Sequence, residues 1–315
     1  MGNEITIGVS SCLLGEKVRY DGGHKHDRYI TGTLGQFFRF APVCPEVGCG
    51  LSVPRESMRL EGNPAVPRLV TNRTRMDLTD RMMDYCHAKV RELEKEDLCG
   101  FIFKKDSPSS GLFRVKVYSA GMPSKAGRGL FADALVKHFP LLPVEEEGRL
   151  SDMNLRENFI ERVFAFRSWK DFLLGPKSMG DLVAFHATRK LQIMAHSPEI
   201  YREMGKLVAD GKAIERELLL SCYQELFLRA LSLHATVKKN TNVLLHIMGY
   251  FKKNLTPSEK EELLLIIGHY HDQLVPLIVP VTLLKHYVNK YGQDYLKGQS
   301  FLSPHPMELM LRNHV

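Results

Sequence analysis

Nowhere in this chain does an uninterrupted apolar stretch approach the ~20 residues that a membrane span needs. Its first residues also lack a basic region followed by an apolar core. The expectation is therefore a cytoplasmic chain with no membrane segment. Tryptophan occurs once, and cysteine only six times in 315 residues, irregularly spaced. That excludes a disulfide framework, and the absence of any CxxC pair counts against a zinc ribbon. Charge of one sign is not concentrated either. Lys and Arg total 43 against 36 Asp and Glu, a net +7 without a basic tail or block. A polybasic arm is excluded, while a diffuse basic surface still admits tRNA or DNA as a partner.

What is present divides into two patterns. From residue 1 to 148, strand-like and helix-like stretches alternate, which predicts a doubly wound α/β domain with a mostly parallel sheet. Ile5 to Cys12 is a strand running into a cysteine, Phe40 to Cys44 a second, and Cys99 to Lys104 a third, breaking at Ser107-Pro108 into a small-residue loop. Thr79 to Glu96 reads as a helix through Met83, Cys86, Val90 and Leu93 at three-and-four spacing. Helices are also expected over Tyr29 to Phe38 and Lys125 to His138, with an extended excursion over Leu51 to Pro67. Glu145 to Arg149 reads as a polar hinge. Beyond it, residues 149 to 315 are expected to be all-α. The apolar stripe Val183, Ala187, Leu191 and Met194 and the capping box from Thr256 to Glu259 are among the helix signals there.

In an open parallel sheet, ligands sit beyond the carboxyl ends of the strands. Three loops there carry Cys12, Cys44 and the Ser107 to Gly111 turn, so one shared pocket is the candidate site. Cys86, Cys99 and Cys222 read as packed thiols. Cys12, Cys44 and Cys49 remain as candidate ligands for zinc or an iron–sulfur cluster. Glu46 is a candidate general acid or base, or else a loop carboxylate paired with Arg19 or Arg55. Asp21 is a weaker candidate, because Asp-Gly-Gly is also a turn signal.

Ser10-Ser-Cys-Leu-Leu-Gly15, Arg19-Tyr-Asp-Gly-Gly23, Val43-Cys-Pro-Glu46, Val53-Pro-Arg55 and Lys105-Asp-Ser-Pro-Ser-Ser-Gly111 together resemble the signature of the thiouracil desulfidase family. The second half, around Asp181 to Pro198, resembles the YbgA-like domain. The first resemblance implies a [4Fe-4S] cluster held by three cysteines, with one iron open to the sulfur of a thiolated pyrimidine base or nucleotide. It implies non-redox loss of sulfide, with Cys12 and Cys44 as ligands and Ser107 and Ser109 bonding base or cluster. The family's third ligand falls at Ser110, which is not a cysteine here. Three readings stay open. Cys49 substitutes, Ser110 itself ligates, or the cluster is lost and a binding protein for a modified base in nucleic acid remains.

Overall fold

A computed structural model of the chain describes residues 4–119 and 122–314. It separates into two compact units, Met1–Asp152 and Met153–Val315.

The first unit is built on a four-stranded, all-parallel sheet. Its strands are β1 (Ile5–Ser10), β2 (Phe38–Val43), β5 (Leu98–Phe103) and β8 (Val144–Glu146), in the order β2-β1-β5-β8. All six residues of β5 are buried, as expected of a strand covered on both faces. The chain leaves β1 towards β2, then returns past β1 to β5 through helix α2 (Thr79–Leu93) and on to β8 through α3 (Leu130–His138). The general right-handedness of parallel crossovers assigns the β1–β2 connection to one face and α2 and α3, which pack together, to the other. The switch point thus lies at the carboxyl ends of β1, β2 and β5.

Four features of this unit differ from the sequence-based expectation. The stretch Tyr29 to Phe38 is not one helix but a π-turn over Tyr29–Thr33, a 3-10 turn over Leu34–Gln36, and then β2. The excursion over Leu51 to Pro67 contains strand β3 (Met58–Asn63), which pairs with β4 (Val66–Thr71). Those two join β6 (Val115–Ser119) and β7 (Met122–Gly127) in a second, mixed sheet of order β4-β3-β6-β7. Lys125 therefore belongs to a strand, and α3 starts only at Leu130. On α2 the buried seam runs through Met82 rather than Met83.

The expected hinge at Glu145 is also corrected. Glu145 and Glu146 are buried residues of β8. Glu145 accepts from Arg149 at 2.7 Å, and Glu146 from the amides of Leu112 and Phe113 at 2.8 and 3.0 Å. Glu147 pairs with Lys104 and accepts the Lys105 amide at 2.7 Å. Each carboxylate finds its partners in the fold, so a charged run can form a strand.

The second unit is helical: α4 (Met153–Leu174), α5 (Met179–His196), α6 (Pro198–Ala209), α7 (Arg216–Ser232), α8 (Val237–Gly249), α9 (Pro257–His271) and α10 (Ile278–Lys290), followed by short turns at Asp294–Lys297 and Met307–Leu309. Thr256 and Glu259 form the capping box at the start of α9, and Ser178 with Asp181 forms another on α5. The aromatic centre is Trp169, stacked on Phe172 and Tyr223. On α5, Val183 is exposed, and Leu182 and Ile193 are buried in its place. No helix among the described residues is long and apolar enough to cross a membrane.

Candidate functional site

The first strand breaks after Ser10 into a 3-10 turn that carries Cys12. The second ends at Val43, and Cys44 follows it at the N-cap position of the single helical turn α1 (Pro45–Gly48). The two strand ends and the loop after β5 enclose a cavity of about 360 Å3, whose wall includes Cys12, Cys44, Glu46, Ser107 and Ser110. Lys104 N donates to Ser10 Oγ at 3.0 Å and ties the ends of β1 and β5 together.

The serine loop is held from behind by α3. The Phe131 amide at the helix start donates to Ser109 O at 2.9 Å, and that of Leu130 to Pro108 O at 3.2 Å. Orphan donors of the helix thereby satisfy loop carbonyls. Gly129 makes the approach feasible, because a Cβ there would stand 2.5 Å from the Ser109 backbone. Gly129→Ala is therefore expected to lower stability by about 1–3 kcal/mol and to displace Ser109. The midpoint of urea unfolding measures the first effect.

Glu46 is the centre of the polar network. Its Oε1 accepts from Ser109 Oγ at 2.6 Å and from Ser107 Oγ at 3.5 Å. Its Oε2 faces Arg55 Nη2 at 3.4 Å and accepts from the Cys44 thiol at 3.5 Å. The ionic partner is thus Arg55, while Arg19 pairs with Asp21. Arg55 Nη2 also donates to Val18 O at 2.9 Å, and its enclosed Nε has no partner among the described residues.

Burial, reinforced by the charge of Glu46, pushes the Cys12 thiol up to about 11. The same two causes push Cys44 up to about 12. In metal-free protein at pH 8, the thiolate fraction falls below that of an unshifted cysteine by about two orders of magnitude at Cys12 and more at Cys44. Alkylation by iodoacetamide, mapped by mass spectrometry, is expected to be slow at both and to accelerate steadily above pH 8.

Three sequence candidates lie outside the wall of this cavity. Cys49 closes α1 on the side of α2, where Arg81 Nε donates to its carbonyl at 2.6 Å and its own thiol donates to Glu46 O at 3.2 Å. Gly48 packs that turn directly onto Tyr85 of α2, a contact a Cβ would block at 2.2 Å. Asp21 is half-exposed in a turn and accepts from the Gly23 amide at 3.0 Å. That bond chiefly holds its carboxyl below the ordinary range. Ser109 is fully buried behind the wall and acts on the cavity through Glu46. Beside Arg19 and Lys105 of the motifs quoted above, the cavity is lined by Lys25 and Lys104, which were not singled out. Their only signal in the sequence was adjacency to the cysteine and serine motifs.

An α/β unit built on a parallel sheet, with two thiols and a clamped carboxylate at its switch point, and a separate helical unit define the class of protein. The family follows from the helical half. The chain is 30% identical over 165 residues to the uncharacterized protein YbgA of Escherichia coli K12, spanning 51% of this chain and 98% of that one, and it belongs to that protein's family. Residues 190–306 match the model described as a protein of unknown function (DUF1722), and residues 7–147 that of 2-thiouracil desulfurase. A solved structure titled [4Fe-4S]-dependent thiouracil desulfidase TudS is similar at 28% identity, covering 47% of this chain and 95% of that one, with a TM-score of 0.39. The architecture is a desulfidase-like N-terminal domain fused to a YbgA-like C-terminal domain.

The residues present fit an iron–sulfur cluster at two corners and weakly at a third. Cys12 and Cys44 are soft donors lining the same cavity as the hydroxyl of Ser110, a harder donor. Among the described residues, no three His, Cys, Asp or Glu side chains are placed to hold a metal ion by themselves. A cluster held here would need a third donor, and the hydroxyl of Ser110 lines the same cavity. Cations lining the cavity favour an anionic occupant.

Proposed function

We propose that the N-terminal unit desulfurates a thiolated pyrimidine carrying a phosphate: C=S and water become C=O and hydrogen sulfide, with no net electron transfer. Cys12 and Cys44, with Ser110 at the third corner, would hold a [4Fe-4S] cluster, which when bound supplies Lewis acidity towards the substrate's sulfur. Glu46 takes the proton of the attacking water and returns it to the leaving sulfide, held for that task by Ser109 and Arg55. Its contact with the Cys44 thiol also lets it accept the proton that metal ligation must displace.

The observation that carries this reading is the clamped Glu46 carboxylate in contact with a cysteine on a cavity wall. A phosphate on the substrate is favoured by a second groove of about 600 Å3, which shares Met58, Lys105, Asp106 and Pro108 with the first. Arg59, Arg114, Lys116, Lys125 and Arg149 line it, with Arg59 over the Tyr118 ring at 4.7 Å and Arg149 over Phe113 at 4.8 Å. That combination of cations and aromatic faces also favours the rival reading, a binder of thiolated RNA without turnover.

The test is sulfide release from 4-thiouracil, 4-thiouridine and 4-thiouridine monophosphate by anaerobically reconstituted protein. Turnover is expected to be fastest with the nucleotide and to slow with added salt. Full iron loading with no sulfide from any of the three would overturn the enzymatic reading. Salt-sensitive tRNA binding without turnover would support the rival.

A further inference from the structure

The helical unit encloses a cavity of its own, of about 320 Å3, built only from residues between Asn154 and His314. Its interior is polar where a helical bundle is ordinarily apolar. Glu161 on α4 is almost fully buried, and its Oε1 accepts from Gln192 at 2.7 Å and faces His196 Nε2 at 3.4 Å. The other ring nitrogen of His196 donates to Leu233 O at 2.6 Å. Glu157, one turn earlier, accepts from Arg312 Nε at 3.0 Å. Burying two carboxylates costs several kcal/mol each before pairing, and apolar packing would serve stability as well. The network therefore calls for a role beyond holding the bundle together.

What it leaves unused indicates the ligand. Asn158 and Asn240 are each more than nine-tenths buried and line the cavity. Asn158 Nδ2 donates to Leu231 O at 3.0 Å and Asn240 Nδ2 to the Tyr270 hydroxyl at 3.0 Å. Their Oδ1 atoms have no hydrogen-bond partner among the described residues, and neither has Glu161 Oε2. None of the three is sealed from the cavity as an enclosed, unpaired atom. On the donor side, the Tyr270 hydroxyl accepts from Asn240 and keeps its hydrogen for a ligand. Arg312 spends Nε on Glu157 and Nη1 on Phe301 O, leaving Nη2. Each carboxylate already faces a basic side chain, so the cavity demands neither a cation nor an anion. Among the described residues, no metal-holding set of three or more such side chains exists.

We propose that this cavity is a binding site for a small, uncharged ring carrying both N–H donors and carbonyl acceptors, the chemistry of a nucleobase or its nucleoside. The N–H groups reach Glu161, Asn158 and Asn240, and the ring carbonyls accept from Tyr270 and Arg312. Ala235, Val237 and Leu277 supply apolar wall. The volume lies at the small end of the ~300–1,000 Å3 typical of small-molecule sites, which suits a base or nucleoside. The inference does not depend on desulfuration by the other unit.

Calorimetric titration of the full chain, metal-free, with uracil, uridine, uridine monophosphate and putrescine tests it. Uracil or uridine is expected to bind, more tightly than the anionic and cationic probes. Tyr270→Phe and Asn240→Leu are each expected to weaken binding at least ten-fold, and the conservative Tyr270→Phe keeps the test valid if the second variant unfolds. No binding of uracil or uridine at millimolar concentration overturns the proposal, as does equal binding of putrescine or the monophosphate. Binding unaffected by Tyr270→Phe but abolished by Glu46→Gln would place the ligand in the thiol-lined cavity instead, and is equally fatal.

Discussion

Replacing Cys44 by alanine is expected to strip the reconstituted protein of bound iron and acid-labile sulfide and to abolish sulfide release. The cavity offers two thiols, and Cys44 sits where β2 meets α1, in contact with Glu46. One thiol and one serine hydroxyl do not retain a soft metal cluster, because iron bound to sulfide prefers thiolate over a protonated alcohol. The converse substitution bears on the third corner. Ser110 is 3% exposed, with its Oγ 3.4 Å from that of Ser109, so Ser110→Cys places a soft donor on the same wall. It is expected to raise iron per chain several-fold after anaerobic reconstitution. Cys49→Ala is expected to leave iron unchanged, since Arg81 and Tyr85 hold that turn against α2. Iron lost in Cys49→Ala, with none gained in Ser110→Cys, would instead make Cys49 the third donor.

The parallel sheet and its loops were legible because a strand buried on both faces must be apolar along its whole length. Leu98 to Phe103 is such a run, and it stops where a Ser-Pro loop must begin. Strands β3, β4 and β7 of the second sheet were hidden because they are half-exposed and rich in Pro, Arg and Gly. Nothing in Lys125 or Arg59 announces a strand until a neighbouring strand supplies the ladder. Glu145 to Glu147 misled for a related reason, since their partners at Arg149, Leu112, Phe113 and Lys104 are settled by the fold. The chemistry-bearing residues could be named from their motifs. Which of them share a cavity could not, because Cys44 and Cys49 differ only in which end of one helical turn they occupy. The helical unit's cavity is less legible still. Nothing in Glu157 and Glu161, four apart on a helix, marks a buried network until His196 and Arg312 are seen beside them.

Glu46→Gln is expected to lower turnover by about 10²–10⁴ while leaving the iron content intact, which separates proton transfer from ligation. The amide keeps the size of the side chain. It can still accept from Ser109 Oγ, now 2.6 Å from Oε1, but cannot take a proton from water. The substitution also leaves the Arg55 guanidinium, 7% exposed at its side chain, without its carboxylate. A loss of stability is therefore expected too, and it must be measured apart from the rate. Ser109→Ala serves as the control. It removes the shortest bond to Glu46 but no titrating group, so it loosens the carboxylate and is expected to reduce turnover less than Glu46→Gln does. Equal turnover in wild type and Glu46→Gln, at equal iron, would assign the proton transfers to another group. The pair with Arg55 would then have only a structural role, in which case Glu46→Gln should cost stability and nothing else.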